Sequence, residues 1–257
     1  MRSIRVIARL DVKGPDVINT IQLEGLRKVG SPNKLAKNYY NQGADELLII
    51  DQVASLYQRD HLIELIKIFT KEIFIPITVG GGIKSVDDAR LLLRSGADKV
   101  AINTAAVSDP NLINQLAKEF GKQCVVISIP CKMVENKKWE VYTNGGRDKT
   151  GLDVIEWAQK AVLLGAGELL ITSIDNDGLR NGFDLNLMQK FNAIDDTPII
   201  VSGGLGRPNH ISDLLSISNC EAISMADYLH MKRGNIQELK NIILKSVIQS
   251  QTLLTVI

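Results

Sequence analysis

Ala44-Asp45-Glu46-Leu47-Leu48-Ile49-Ile50 and Ala166-Gly167-Glu168-Leu169-Leu170-Ile171-Thr172 are two copies of one pattern, set 122 residues apart (168 minus 46). A second pair, Pro76-Ile77-Thr78-Val79-Gly80-Gly81-Gly82 and Pro198-Ile199-Ile200-Val201-Ser202-Gly203-Gly204, repeats at the same offset (198 minus 76). Each copy is a short apolar run, the pattern of a strand buried on both faces. Two different strands sharing one offset point to a fold made of two similar halves. The period is too long for a solenoid, whose repeats run about 20–50 residues.

Similar runs flank these. Residues 5–10, 46–51, 75–79, 99–103, 124–129, 168–173, 199–202 and 222–225 read as eight buried strands. Helical patterns lie between them, at 34–42, 85–95, 110–120, 153–164 and 236–249. Strand and helix in alternation demand parallel strands with crossover helices. No Pro/Ser-rich linker divides the chain, and 257 residues suit one large α/β unit. The expected architecture is therefore α/β: a single (β/α)₈ barrel over residues 1–257, built from two four-strand halves. An open doubly wound sheet is the alternative, but no G-x-G-x-x-G follows the first strand.

A net charge of +1 supplies no field to gather polyanions, so no nucleic-acid partner is expected. Met1-Arg2-Ser3-Ile4-Arg5-Val6-Ile7 interrupts its apolar residues with charge and has neither the core of a signal peptide nor a spanning segment. A cytoplasmic protein without membrane contact is the expectation. Cys124, Cys131 and Cys220 lack metal-ligand spacing and read as reduced core thiols, with no metal or cofactor implied.

Chemistry in such a barrel sits where the strands end. Gly80-Gly81-Gly82 and Ser202-Gly203-Gly204 are glycine-rich strand ends that let backbone N–H groups surround a phosphate. Each adjoins a further candidate at the next strand end, Asn103-Thr104 and Ala226-Asp227. Two sites related by the repeat suggest an elongated substrate with a phosphate at each end, although tight turns alone would also use these glycines. Asp11 and Asp51 close strands, and Ser173-Ile174-Asp175-Asn176-Asp177-Gly178 follows another. Carboxylates there serve as acids or bases. Asp11 is the preferred catalytic residue because no turn residue stands beside it, whereas Asp177-Gly178 is also ordinary turn chemistry. None of His61, His210 and His230 sits in a nucleophile motif. At the opposite strand ends Arg5, Glu46, Lys99 and Glu168 enter apolar runs. Residues so placed are usually exposed caps, but four from different strands can converge on the barrel axis as a ring of ion pairs, which would be a gate.

Along nearly its whole length the sequence resembles the cyclase subunit of imidazole glycerol phosphate synthase. The resemblance rests on Leu10-Asp11-Val12-Lys13, Gly43-Ala44-Asp45-Glu46-Leu47, Thr78-Val79-Gly80-Gly81-Gly82-Ile83, Gly96-Ala97-Asp98-Lys99-Val100, Trp139-Glu140-Val141-Tyr142-Thr143, Thr150-Gly151-Leu152-Asp153 and Ser202-Gly203-Gly204. It implies a glutaminase docked on the N-terminal barrel face, with ammonia passing down the barrel to a phosphorylated substrate and cyclising it in histidine biosynthesis. It also implies that Arg5, Glu46, Lys99 and Glu168 form the ammonia gate, that Asp98 contacts the glutaminase, and that Asp11 is one of two acid–base aspartates.

The second aspartate falls on Pro130, which cannot transfer a proton. Arg9 replaces a small residue, Asn19 stands where the family carries a lysine, and Asp227 replaces a serine at the second phosphate. Ammonia-side residues are intact while substrate-side residues are changed. Paralogues resembling this family are thought to put nitrogen onto an acetamido sugar for surface polysaccharide. That sets an amidine-forming enzyme beside the cyclase, with Asp51 or Asp177 as a candidate partner of Asp11. A catalytically inactive barrel that only binds or regulates a glutaminase is the third reading.

Overall fold

A computed structural model describes residues 3–52, 59–135, 137–194 and 197–255. The first strand, β1 (Arg5–Lys13), runs on into a hairpin of β2 (Asp16–Ile21) and β3 (Glu24–Gly30) before α1 (Pro32–Asn41). Then come β4 (Glu46–Asp51), α2 (Arg59–Glu72), β5 (Ile77–Gly80), α3 (Val86–Arg94), β6 (Lys99–Ile102), α4 (Thr104–Ser108) and α5 (Asn111–Phe120). The second half opens in the same way. Its β7 (Val125–Glu135) continues into β8 (Lys138–Thr143) and β9 (Asp148–Asp153), followed by α6 (Val154–Leu164) and β10 (Glu168–Ser173). The rest is α7 (Leu185–Phe191), β11 (Ile199–Ser202), α8 (Asn209–Ile217), β12 (Ala222–Met225), α9 (Asp227–His230) and α10 (Ile236–Thr255).

Strands β10, β11, β12, β1, β4, β5, β6 and β7 pair in parallel in that order, and pairing of β7 with β10 closes the circle. The eight expected strands are thus the barrel staves; most ends move by a residue or two, but β1 runs on to Lys13 and β7 to Glu135, where each enters its hairpin. β5 starts at Ile77 rather than at residue 75: Pro76 has no N–H to donate, and joins β4 only through its carbonyl, which accepts the Leu47 N–H at 2.9 Å.

Helix starts follow from local chemistry. Ser85 caps α3 by accepting from the Asp88 N–H, and Asp87 and Asp88 complement the dipole in its first turn. Asp153 caps α6 through the N–H groups of Ile155 and Glu156, and Gly165 ends that helix in the left-handed region (φ 108°). No described helix is long and apolar enough to cross a membrane.

Strand alternation sorts side chains into two cores. One face of each stave packs against the helices, as Val6, Ile49, Val125, Ile127 and Ile171 do. The other face fills the lumen, where Ile7, Leu48, Ala101, Val126, Leu170, Ile200 and Ala222 form an apolar layer. On β1 the odd residues point inward; on β4, β7 and β10 the even ones do.

Behind the barrel mouth, Tyr39 of α1 and His230 of α9 share a 2.7 Å hydrogen bond at Nδ1, and His230 Nε2 is buried without a partner among the described residues. Burial, the largest cause, holds the His230 imidazole down to about 4, against an ordinary 6.5. As pH falls below about 6.5 the unfolded chain takes up a proton that the folded chain refuses until about 4. Stability is therefore expected to drop with acidification across this window, by about 2 kcal/mol from this group between pH 7.5 and 5. Urea unfolding at both pH values should show a smaller difference in His230→Gln than in the wild type. An equal difference would refute the assignment.

Candidate active site

At the N-terminal end of the lumen the four expected charges meet. Glu46 accepts from Arg5 Nη1 at 2.7 Å and Lys99 Nζ at 2.9 Å, and Glu168 accepts from Arg5 Nη2 at 2.8 Å and Lys99 Nζ at 2.9 Å. Cations and anions alternate around a closed ring, and the Thr78 hydroxyl donates to the remaining Glu46 oxygen at 2.5 Å. Asp98 lies outside this ring. It is exposed, and one of its oxygens accepts the Ile77 N–H at 2.8 Å, anchoring the start of β5.

Beyond the apolar layer the lumen becomes polar again. Asp11 is 2% exposed and takes hydrogen bonds from Arg9 Nε (3.1 and 3.0 Å) and Arg9 Nη2 (2.9 Å). Gln52 Nε2 adds a fourth at 2.6 Å. Gln52 had no signal in the sequence; it reaches Asp11 because β4 lies beside β1. Asp51 instead shares the strand parity of Leu47 and Ile49, whose side chains belong to the outer core.

Asp177 is in reach of the same cluster. Burial is the main cause that raises its carboxyl above the ordinary range, aided by the Asp11 charge and opposed by Arg9. Pro130 follows the inward parity of Val126 and Ser128, opposite Thr172. Cys131 faces the outer core, and burial pushes its thiol well above 9. It does not stand in for the missing aspartate.

Both hairpins fold over the mouth. The β2–β3 turn has Gln22 and Leu23 at φ 54° and 60°, the geometry of a primed hairpin turn without its usual glycine or asparagine. Asp177 offsets that strain: its carbonyl accepts the Gln22 N–H at 2.9 Å and its carboxyl accepts from the Leu23 N–H and the Thr20 hydroxyl, both at 3.2 Å. Asn19 donates to Asp227 at 2.9 Å. Arg180 grips Asp227 with two bonds of 2.7 and 2.9 Å, and Arg233 stands 3.6 Å away. Asn19 and Arg180 are the largest named causes that lower the Asp227 carboxyl, against its burial. One carboxylate therefore ties together the loops after β1, β10 and β12.

The glycine-rich strand ends hold the conformations that only glycine takes easily. Gly81 has φ 102°, and a Cβ there would lie 2.3 Å from the Asp51 carbonyl oxygen. At Gly204, φ 108°, a Cβ would lie 2.0 Å from the Gly182 carbonyl oxygen. Asn103 donates to the Ser128 and Tyr142 carbonyls at 3.1 Å, and Thr104 accepts the Asn144 N–H at 3.0 Å, so the β8–β9 turn is pinned beside Gly81 and Gly82. On the other side a small cavity is lined by Arg9, Asp177, Ser202, Gly203, Ser224 and Asp227.

A closed ion-pair ring, an apolar lumen and a buried carboxylate at the far end make a continuous series through one barrel. The family model described as "Histidine biosynthesis protein" matches residues 5–235, nearly all of this series and both hairpins. The chain belongs to this family. Within it, the chain is 56% identical to the imidazole glycerol phosphate synthase subunit HisF of Legionella pneumophila over 207 residues, which is 80% of this chain and 98% of that relative. It is an enzyme chain of the HisF type. Arg9, Asn19, Pro130 and Asp227, the substrate-side residues singled out in the sequence, all lie on the C-terminal side of the apolar layer.

Proposed function

We infer that this chain is the ammonia-using synthase subunit of a glutamine amidotransferase, converting phosphoribulosyl-formimino-aminoimidazole-carboxamide ribotide and ammonia to imidazole glycerol phosphate and aminoimidazole-carboxamide ribotide. The observation that carries it is the lumen. The ring of Arg5, Glu46, Lys99 and Glu168 guards one end, an apolar layer suited to neutral ammonia follows, and Asp11 stands at the other. A glutaminase seated on the N-terminal face would deliver ammonia at the ring, with exposed Asp98 beside its footprint. Gly81, Gly82, Asn103 and Thr104 would hold one phosphate, and Gly178, Gly203 and Gly204 the other. Asp11 would move the proton of the adding nitrogen, with Asp177, held toward its protonated form, as its acid partner.

Asp227 and Pro130 favour a second reading, in which ammonia adds to the acetamido group of a sugar. A carboxylate at the second phosphate position repels a dianion there, and Arg180 and Arg233 offset that repulsion only in part. If the ribotide is the substrate, Asp227→Ser is expected to lower its KM about two- to fivefold with kcat little changed. An unchanged or raised KM would favour the sugar.

The direct test is turnover by the purified chain with saturating ammonium, offering the ribotide and an acetamido sugar nucleotide in parallel. Formation of imidazole glycerol phosphate supports the first reading and an amidino sugar the second. Failure on both, with the chain folded, would overturn the proposal.

A further inference from the structure

Arg9 is the most unusual side chain in the lumen. It is 6% exposed and extends from β1 to donate from Nη1 to the Ser202 hydroxyl on β11 at 3.3 Å. Because β12 lies between β1 and β11, the guanidinium crosses the lumen face of the strand that carries Ser224. Ser224 is 1% exposed, lines the same cavity, and its hydroxyl has no hydrogen-bond partner among the described residues.

A guanidinium has five N–H donors in a fixed plane. Arg9 commits three: Nε and one of Nη2 to Asp11, and one of Nη1 to Ser202. One donor remains on each terminal nitrogen. Leaving buried donors unmade costs free energy, so a role confined to balancing the charges of Asp11 and Asp177 does not account for donors directed at the cavity. A lysine at this position would balance the charge with fewer directed donors.

We propose that Arg9 is a catalytic residue: its uncommitted N–H groups and the Ser224 hydroxyl hold the substrate's carbonyl oxygen where the lumen opens, and stabilise the charge formed there as ammonia adds. The proposal rests on the reading that ammonia adds to a carbonyl carbon in this barrel, which both candidate substrates share. The nitrogen lone pair forms the C–N bond, and the C=O π pair moves onto oxygen beside Arg9. Asp11 takes one proton from the adding nitrogen and Asp177, the acid partner, gives one to that oxygen, leaving a neutral carbinolamine, a protonated Asp11 and an ionised Asp177. Oxyanion donors of this kind are worth most in a buried site that need not reorganise.

The test uses the full chain with saturating ammonium and whichever of the two substrates it turns over. Arg9→Ala is expected to lower kcat by about 10²-fold with KM for ammonium little changed, and added guanidinium ion to restore part of the loss. Arg9→Lys keeps a cation beside Asp11, so a structural Arg9 would leave its kcat near wild type; the proposal expects a loss of at least about tenfold. Arg9→Lys within about threefold of wild type would overturn the proposal. If neither substrate is turned over, the functional reading fails first, and the site is then judged by ¹⁵N resonances of the Arg9 side chain during titration with acetate. A saturable shift weakened by Ser224→Ala supports the site, and no shift overturns it.

Discussion

Asp11→Asn is expected to reduce ammonium-dependent turnover by between about 10² and 10⁴-fold, the range for removal of a positioned acid–base group. The residue is buried at the C-terminal end of the lumen and accepts four hydrogen bonds, all from Arg9 and Gln52. An amide of the same shape presents its NH₂ to donors and cannot take a proton from the adding nitrogen. Pro130 removes the obvious substitute from the opposite strand. The variant should fold, because the outer core of the barrel is untouched, though Arg9 loses its counter-charge and stability should fall. Steady-state kinetics alongside a circular dichroism melt separate the effects. Turnover within about tenfold of wild type would show that proton transfer runs through another group, with Asp177 the first to examine.

Glu46→Ala is expected to cost about 3–5 kcal/mol of stability, the range for breaking a buried ion pair from one side. Glu46 is 1% exposed and serves three donors, so its loss leaves Glu168 alone to balance both Arg5 and Lys99 and leaves the Thr78 hydroxyl unmatched. For a chain of this size the melting temperature should fall by on the order of 10 °C. The functional consequence is selective. With the ring opened, turnover with free ammonium should persist at a permissive temperature, while coupling to glutamine hydrolysis by a bound glutaminase should weaken. Glu46→Gln, which keeps the size of the side chain and one acceptor oxygen, should lie between the two. A melt unchanged by Glu46→Ala would mean that the ring contributes nothing to stability.

Much of this was legible because strands buried on both faces leave a plain mark. The charges at Arg5, Glu46, Lys99 and Glu168 interrupt apolar runs at equivalent points, and only convergence on an axis makes that arrangement favourable. The 122-residue offset likewise fixed the halves before any contact was known. The second hairpin carries a legible signal, Asn144-Gly145-Gly146 at positive φ, but the first is hidden for a physical reason. The β2–β3 turn uses Gln22 and Leu23 at positive φ, where glycine or asparagine would have signalled it, and its strain is offset by Asp177, more than 150 positions away (177 minus 23). The sequence likewise could not show that Arg9 turns toward Asp11 and Ser202, or that Asp227 draws in Arg180 and Asn19. Such partners come from strands and loops that only barrel closure brings together. The inward parity of Pro130 and the outward parity of Cys131 could have been read from strand alternation, once β7 had been extended past residue 129.

Ammonia is expected to reach Asp11 through the barrel rather than from the bulk. The most direct test reconstitutes the chain with a glutaminase, supplies glutamine labelled with ¹⁵N at the amide together with excess unlabelled ammonium, and measures the isotope in the product by mass spectrometry. Label in the product well above that of the mixed ammonium pool is the predicted result. Product nitrogen that matches the bulk pool would contradict passage through the ring and the lumen.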